Sequence, residues 1–187
     1  MPPKVKITKE DIVQAGLEIV RRDGETGLNA RSIAAVLGCS TQPVFSNYDS
    51  MDELRLAVLA GAEGVYARYM QQEIESGKYP DYKASGMAYI RFAKEEKNLF
   101  RMLYMRHRTY EQTLNEAHLF DQMEEIVQDS TGLEKDRARL FHLEMWAFVH
   151  GIATMFATNF LDLSWELVIR MLSDTYLGLR KQYETEG

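Results

Sequence analysis

The chain has 187 residues, 45% of them hydrophobic and 27% charged, which is enough for one sizeable domain or for a small module fused to a larger one. Its formal net charge is -6. Taken alone, this charge argues against a nucleic-acid partner, because binding to phosphates relies on cations. The apolar content excludes a disordered chain. The single cysteine, Cys39, excludes a disulfide framework and is typical of a reducing, cytoplasmic setting.

The N-terminal segment contains lysines, but no apolar stretch follows them, so the sequence predicts no signal peptide. The most apolar stretch, residues 145–161, contains a histidine and an asparagine and is short for a membrane span. We therefore expect a cytoplasmic protein without a membrane partner.

Apolar residues follow the helical period almost throughout the chain, and only four prolines occur, which predicts an all-α protein of about nine helices. The first helix begins after Thr8, with Asp11 at the reciprocal position of a capping box. The second is capped by Asn29 and ends at Gly38, a position where a left-handed residue is usual.

A third, short helix begins at Ser40 or Thr41, carries Pro43 in its first turn, and runs to about residue 48. The helical spacing predicts that its inward face is formed by Val44, Phe45 and Tyr48. A full capping box over residues 50–53 opens a fourth helix that continues to about residue 76. Five further helices are predicted at about 81–96, 98–107, 115–129, 134–157 and 164–184.

The second and third helices, joined by a tight glycine turn, form a helix-turn-helix arrangement over residues 29–48. The outward side chains of the third helix are short hydrogen-bonding groups able to contact base edges in a major groove. They are Ser40, Thr41, Gln42, Ser46 and Asn47. An ordinary helical hairpin with a solvated polar face has the same pattern, so this feature alone leaves both interpretations open.

Residues 12–54 resemble the DNA-binding domain of the TetR family of transcriptional regulators. The matching segments are Ile-Val-Gln-Ala-Gly-Leu at 12–17, residues 27–38, Cys-Ser-Thr-Gln-Pro-Val-Phe-Ser-Asn-Tyr at 39–48 and Ser-Met-Asp-Glu-Leu at 50–54. The remainder resembles the family only in its layout, a variable helical ligand domain that ends in two long dimerisation helices. The resemblance implies a DNA-binding domain at 1–50 and a ligand-binding and dimerisation domain at 51–187, linked by the fourth helix.

The resemblance also implies roles for individual residues. Arg31 would contact a phosphate, while Asn47 and Tyr48 would approach the DNA backbone. Thr41, Gln42, Pro43 and Phe45 would lie on the groove side of the third helix. The whole predicted DNA-binding set is Arg31, Ser40, Thr41, Gln42, Pro43, Phe45, Ser46, Asn47 and Tyr48.

One position departs from the family pattern. Met51 stands where the family commonly has a lysine that binds phosphate. Lys4, Lys6 and Lys9 could replace this contact, as a flexible arm ahead of the first helix. Residues 1–50 carry six basic and six acidic residues, so the whole charge of -6 lies in residues 51–187. A neutral DNA-binding module predicts modest, salt-sensitive affinity that requires two copies of the module.

Nine of the ten methionines and all four histidines lie after residue 50. Large apolar side chains at helical spacing are usually core, but some could line an adaptable pocket for a small, largely apolar or aromatic effector. The candidate ligand contacts are Tyr66, Tyr89, Phe92, Tyr104, His107, His142 and Trp146. His142 and His150 are two helical turns apart, which favours polar contacts within a helix interface over a metal site, and no cofactor is predicted.

The last two predicted helices have wide apolar faces, which indicate either internal burial or a partner helix. A two-fold homodimer would bury both faces. The predicted interface residues are Trp146, His150, Trp165, Val168, Met171, Leu172, Thr175 and Leu179.

The leading hypothesis is a homodimeric, TetR-like repressor that an effector releases from a palindromic DNA operator. The alternative is a helical ligand-binding or adaptor protein that no longer binds DNA. An enzyme is disfavoured, because adjacent carboxylates on a helix point about 100° apart and the sequence offers no convergent catalytic set.

Overall fold

The computed structural model describes residues 7–106 and 118–185, and for residues 118–122 it describes the backbone alone. These residues form nine α-helices and one 3₁₀ turn and contain no strand, so the predicted all-α fold is confirmed. The helices are α1 (Lys9–Asp23), α2 (Ala30–Val36), α3 (Gln42–Asn47), α4 (Met51–Glu75), α5 (Asp81–Glu95), α6 (Lys97–Tyr104), α7 (His118–Thr131), α8 (Lys135–Ala157) and α9 (Trp165–Thr185), with the 3₁₀ turn at Glu25–Gly27.

Side-chain caps explain where the early helices begin. The Thr8 hydroxyl accepts from the Asp11 amide at 3.1 Å, and the Asp11 carboxylate accepts from the Thr8 amide at 2.8 Å, which completes the predicted capping box. Before α4, the Ser50 hydroxyl accepts from the Glu53 amide at 3.1 Å. The Glu53 carboxylate accepts from the amide of Asp49, one residue earlier than the capping-box pattern predicts.

The chain packs as two compact units. The first comprises residues 1–67 and 96–106, and the second comprises residues 68–95 and 107–187. The chain therefore passes from one unit to the other at three points. The boundary expected after residue 50 concerns the DNA-binding module and stays a prediction.

In the first unit, α6 joins the helices of the N-terminal segment by packing on α1. The Arg21 guanidinium donates to the Glu96 carboxylate, with its closest contact at 2.9 Å, and the Asn98 amide donates to the Arg21 carbonyl at 2.9 Å. Helical periodicity does not indicate this arrangement, because the contacting residues are more than 70 positions apart in the sequence.

In the second unit, α8 packs against α5, α7 and α9. Its core includes Tyr82 of α5, Val127 of α7, Phe141 and Met145 of α8, and Tyr183 of α9. The aromatic rings of Tyr82 and Tyr183 both lie within 6.3 Å of the Phe141 ring, measured between centroids. α8 is thus the central helix of this unit.

α8 contains most of the apolar stretch at residues 145–161, which is short for a membrane span. At 23 residues, it is long and apolar enough to cross a membrane by length and composition alone, so length does not exclude a span. This is weak evidence, because the core helix of a globular unit passes the same test. α8 packs against three other helices, which favours the interpretation that it is a core helix.

Candidate nucleic-acid interface

The helices that pack around the helix-turn-helix include α1 and α4, which approach each other closely. A Cβ atom at Gly16 would lie 2.5 Å from Cγ2 of Val58, so only glycine permits this approach. Ile33 of α2 and Val44 of α3 are fully buried beside these helices. Gly38, with φ of +63°, then allows the chain to turn sharply between α2 and α3.

The packing of α3 separates its inward residues from its outward ones. Val44 is 1% exposed and Tyr48 is 5% exposed, whereas Phe45 is 53% exposed. The prediction that Phe45 faces inward was therefore wrong, while the groove-side position implied by the family resemblance is compatible with its exposure. The Tyr48 hydroxyl donates to the Lys9 carbonyl at 3.4 Å, so this residue ties α3 to α1.

The residues predicted to contact DNA in α3 and just before it differ in their solvent exposure. Ser40, Gln42 and Ser46 are exposed, and Thr41, Pro43 and Asn47 are half-buried. The Ser46 hydroxyl donates to the Gln42 carbonyl at 2.9 Å, and the Asn47 amide donates to the Pro43 carbonyl at 2.8 Å. These two side chains therefore each donate one hydrogen bond within the helix. The roles of the whole set in DNA binding stay predictions.

Arg31 is an exposed cation in the first turn of α2. Its backbone amide donates to the side chain of Asn29, which caps the helix. Within residues 7–67, the other three arginines, Arg21, Arg22 and Arg55, each form an ion pair, and Arg31 forms none. Its guanidinium is thus available for an anion.

Lys9 is the first residue of α1 rather than part of an arm ahead of it. Its Nζ lies 4.9 Å from the centroid of the Tyr48 ring and 3.7 Å from the Glu53 carboxylate. Lys9 therefore carries a positive charge near the start of α4, where Met51 is half-buried. Lys4 and Lys6 lie outside the described residues, so their predicted role is not addressed by the structure.

The predicted ligand contacts fall in both units. Tyr66 and Tyr104 belong to the first unit and meet edge to face, with ring centroids 6.1 Å apart. Burial raises the pKa of the Tyr66 hydroxyl far above its ordinary value, so this group is neutral at all physiological pH values. His107 lies outside the described residues.

Two tyrosine–histidine pairs join α5 to α8 in the second unit. The Tyr82 hydroxyl lies 3.1 Å from Nδ1 of His142, and the Tyr89 hydroxyl lies 2.9 Å from Nδ1 of His150. The predicted polar contacts of both histidines within a helix interface are thus confirmed. Sequence reasoning missed Tyr82, although its spacing of seven from Tyr89 nearly matches the spacing of eight between the histidines.

The other candidate ligand residues of this unit are packed against aromatic neighbours. Phe92 is fully buried and meets Tyr69 edge to face at 5.5 Å. The Trp146 ring stacks on His150 with centroids 4.9 Å apart. Over the described residues, no group of three or more His, Cys, Asp or Glu side chains could hold a metal ion. Binding of an effector by these residues stays a prediction.

Burial divides the predicted interface residues of α8 and α9 into two groups. Val168 and Leu172 are at most 4% exposed and face the interior of their own unit, so the prediction that they form a dimer surface does not fit their burial. The half-buried members are Trp146, His150, Trp165, Met171, Thr175 and Leu179. The strongly exposed apolar side chains of these two helices are Leu140, Leu143, Leu167 and Leu177.

Residues 82–172, which include the tyrosine–histidine pairs and most of α8, match the family model of the tetracyclin repressor-like C-terminal domain. This segment is similar to a TetR-type C-terminal domain. The resemblance to the TetR family that residues 12–54 carry is thereby confirmed from a separate part of the chain. No curated protein matches the chain.

Three solved structures have folds similar to this chain. A protein of unknown function from Rhodococcus sp. RHA1 is 23% identical, with a TM-score of 0.70 over 95% of this chain and 98% of that one. A candidate transcriptional regulator from Pseudomonas aeruginosa PAO1 is 16% identical, with a TM-score of 0.70 over 92% and 90%. A TetR-family member from Streptomyces coelicolor A3 is 16% identical, with a TM-score of 0.64 over 89% and 96%. At these identities the likeness is one of fold.

Proposed function

We propose that the protein is a homodimeric, DNA-binding transcriptional regulator, and specifically a repressor that a small, largely apolar or aromatic effector releases from a palindromic operator. The observation that carries the proposal is the outward face of α3. Val44 anchors this short helix in the core, and Gln42, Phe45 and Ser46 remain exposed. The similarity to a TetR-type C-terminal domain supports the same function.

The charges of the first unit favour binding to a specific DNA site over non-specific binding. The cation of Arg31 is available for a phosphate, whereas the nearby arginines are already paired with carboxylates. Residues 1–50 have no net charge, so non-specific attraction to DNA is weak. Two copies of the module, with recognition helices about 34–36 Å apart, supply the affinity that one copy lacks.

The connections of the chain suggest how an effector acts. α4 begins in the unit that carries α3 and continues into the second unit, and α6 is fastened to α1 through Arg21, Glu96 and Asn98. An effector that binds better to one arrangement of the second unit shifts the population toward that arrangement. Because the coupling between two sites is reciprocal, effector and DNA then weaken each other's binding. The proposal places this exchange in the cytoplasm and requires no cofactor.

The function is tested by selecting binding sites from random duplexes with the full-length protein and titrating the selected operator against salt. We expect an enriched palindrome. The Arg31→Ala substitution should weaken binding to all sequences alike and reduce the slope of log K against log salt concentration by about one for each phosphate that the variant no longer neutralises.

Arg22→Ala is the matched control, since it removes an exposed cation of the same unit whose guanidinium already pairs with Asp23 at 2.7 Å. Its salt slope should stay close to that of the natural protein. The adaptor alternative, which Met51 and the neutral charge of residues 1–50 favour, predicts no enriched duplex and no effect of Arg31→Ala or Gln42→Ala on the protein's function.

A further inference from the structure

We propose that Gln42 and Phe45 form one reading pair that selects A·T base pairs in the operator. In this pair, the Gln42 amide binds the edge of an adenine and the Phe45 ring packs on the methyl group of a thymine. The inference rests on the proposed function and adds the base chemistry that the same site recognises.

The two residues share one face of α3. Positions three apart on an α-helix are neighbours, so Gln42 and Phe45 present their side chains to the same side. Phe45 is 53% exposed and is the large apolar side chain that α3 leaves in water. An aromatic ring that is exposed to this extent gains free energy when it is buried against an apolar group of a partner.

The neighbouring side chains of α3 are less free to read bases. Ser46 and Asn47 donate to the carbonyls of Gln42 and Pro43 within the helix. Over the described residues, the Gln42 side chain makes no hydrogen bond and is exposed, so both its donor and its acceptor are available. Gln42 is therefore the long side chain of α3 able to make a paired contact with a base.

Base chemistry identifies the target of each residue. In the major groove, adenine presents an acceptor at N7 beside a donor at N6, which matches the acceptor and donor of a glutamine amide. A phenyl ring has no hydrogen-bonding group, so it distinguishes bases through the apolar C5-methyl group of thymine. Since the two side chains are neighbours, the adenine and thymine that they contact lie in the same or adjacent base pairs.

The test uses the full-length protein and the operator that it selects. Each thymine of a half-site is replaced in turn by deoxyuridine, which removes only the methyl group. We expect one thymine in each half-site at which this change weakens binding about fourfold, the effect of one buried methyl group. The Phe45→Ala variant should lose this sensitivity, and Phe45→Leu, which keeps an apolar contact, should retain part of it.

The adenine contact is tested in the same way with 7-deazaadenine, which lacks the N7 acceptor. Binding by the natural protein should fall about fivefold or more at one adenine in each half-site, the lower end for a paired base contact. Gln42→Ala should bind both duplexes alike. Arg22→Ala is the control, because Arg22 already pairs with Asp23 and lies outside α3, and it should keep the sensitivity to both modified bases.

The outcomes separate this inference from the function on which it rests. If no duplex is enriched, the proposed DNA-binding function fails. If an operator is enriched but the natural protein is indifferent to both modified bases, or if Gln42→Ala and Phe45→Ala keep the full sensitivity, the reading pair is overturned while the function stands. Because both residues are exposed, thermal melting of the variants should match that of the natural protein.

Discussion

At the scale of single residues, Gly16 lies where α1 approaches α4 most closely. The Gly16→Ala substitution places a Cβ 2.5 Å from the Val58 side chain, and Val58 is itself fully buried. Overpacking of this kind should lower the free energy of unfolding by about 1–3 kcal/mol, as measured by urea denaturation. Gly64→Ala is the control.

Gly64 lies within α4, like Val58, and a Cβ there would meet no atom within 4 Å other than its chain neighbours and the nearby backbone of α4. Gly64→Ala should therefore raise the free energy of unfolding by roughly 0.5–1 kcal/mol, because alanine loses less backbone entropy in a helix than glycine does. Equal effects of the two substitutions would show that the contact with Val58 does not restrict Gly16.

His142 makes the stability of the protein depend on pH. Burial disfavours its imidazolium form and lowers its pKa below the ordinary value of 6.5. The unfolded chain therefore binds this proton more readily than the folded chain, and the free energy of unfolding should fall as the pH drops through 6.5 toward the folded pKa.

The His142→Gln variant isolates this contribution, since glutamine can still bond to the Tyr82 hydroxyl but does not titrate. Urea denaturation from about pH 8 down to about pH 5 should show that the natural protein loses stability relative to the variant as the pH falls. Parallel curves for the two proteins would contradict the assignment.

At the scale of elements, the start of α2 depends on Asn29. Its side-chain oxygen accepts from the backbone amides of both Arg31 and Ser32 at 3.0 Å. Asn29→Ala should therefore lower the free energy of unfolding by about 0.5–2 kcal/mol in thermal or urea denaturation. Thr41→Ala is the control, because Thr41 precedes α3 without a side-chain cap bond, and its effect should be smaller.

Local sequence predicted the helices well because their signals are local. A capping side chain contacts amides two or three positions away, and the left-handed φ of Gly38 concerns a single residue. The face of a six-residue helix is harder to predict. α3 has fewer than two turns, so periodicity alone could not decide whether Phe45 faces the core or the solvent.

At the scale of the whole molecule, α8 and α9 leave apolar side chains uncovered in the single chain. Leu140 and Leu143 are 52% and 47% exposed, and with Ala147 they form one stripe along α8. If this stripe is part of the proposed dimer interface, Leu143→Glu should convert the dimer to a monomer in sedimentation velocity, because a buried unpaired charge is costly.

Leu56→Glu is the matched control. Leu56 is 60% exposed on α4 and lies outside the proposed interface, so its substitution should leave the oligomeric state unchanged. A dimer that persists in Leu143→Glu would assign the interface to another surface, and a monomeric natural protein would overturn the homodimer itself.

The helical class, the helix starts at Thr8 and Asn29, and the resemblance of residues 12–54 to one family could be predicted from the sequence, because these features depend on residues close together in the chain. The exposure of Phe45, the burial of Val168 and the packing of α6 on α1 could be seen only in the folded chain. Burial depends on which distant segments cover a side chain, and the contact between Arg21 and Glu96 joins residues 75 positions apart. Periodicity identifies an apolar face, and packing then decides whether that face meets its own chain or remains open to a partner.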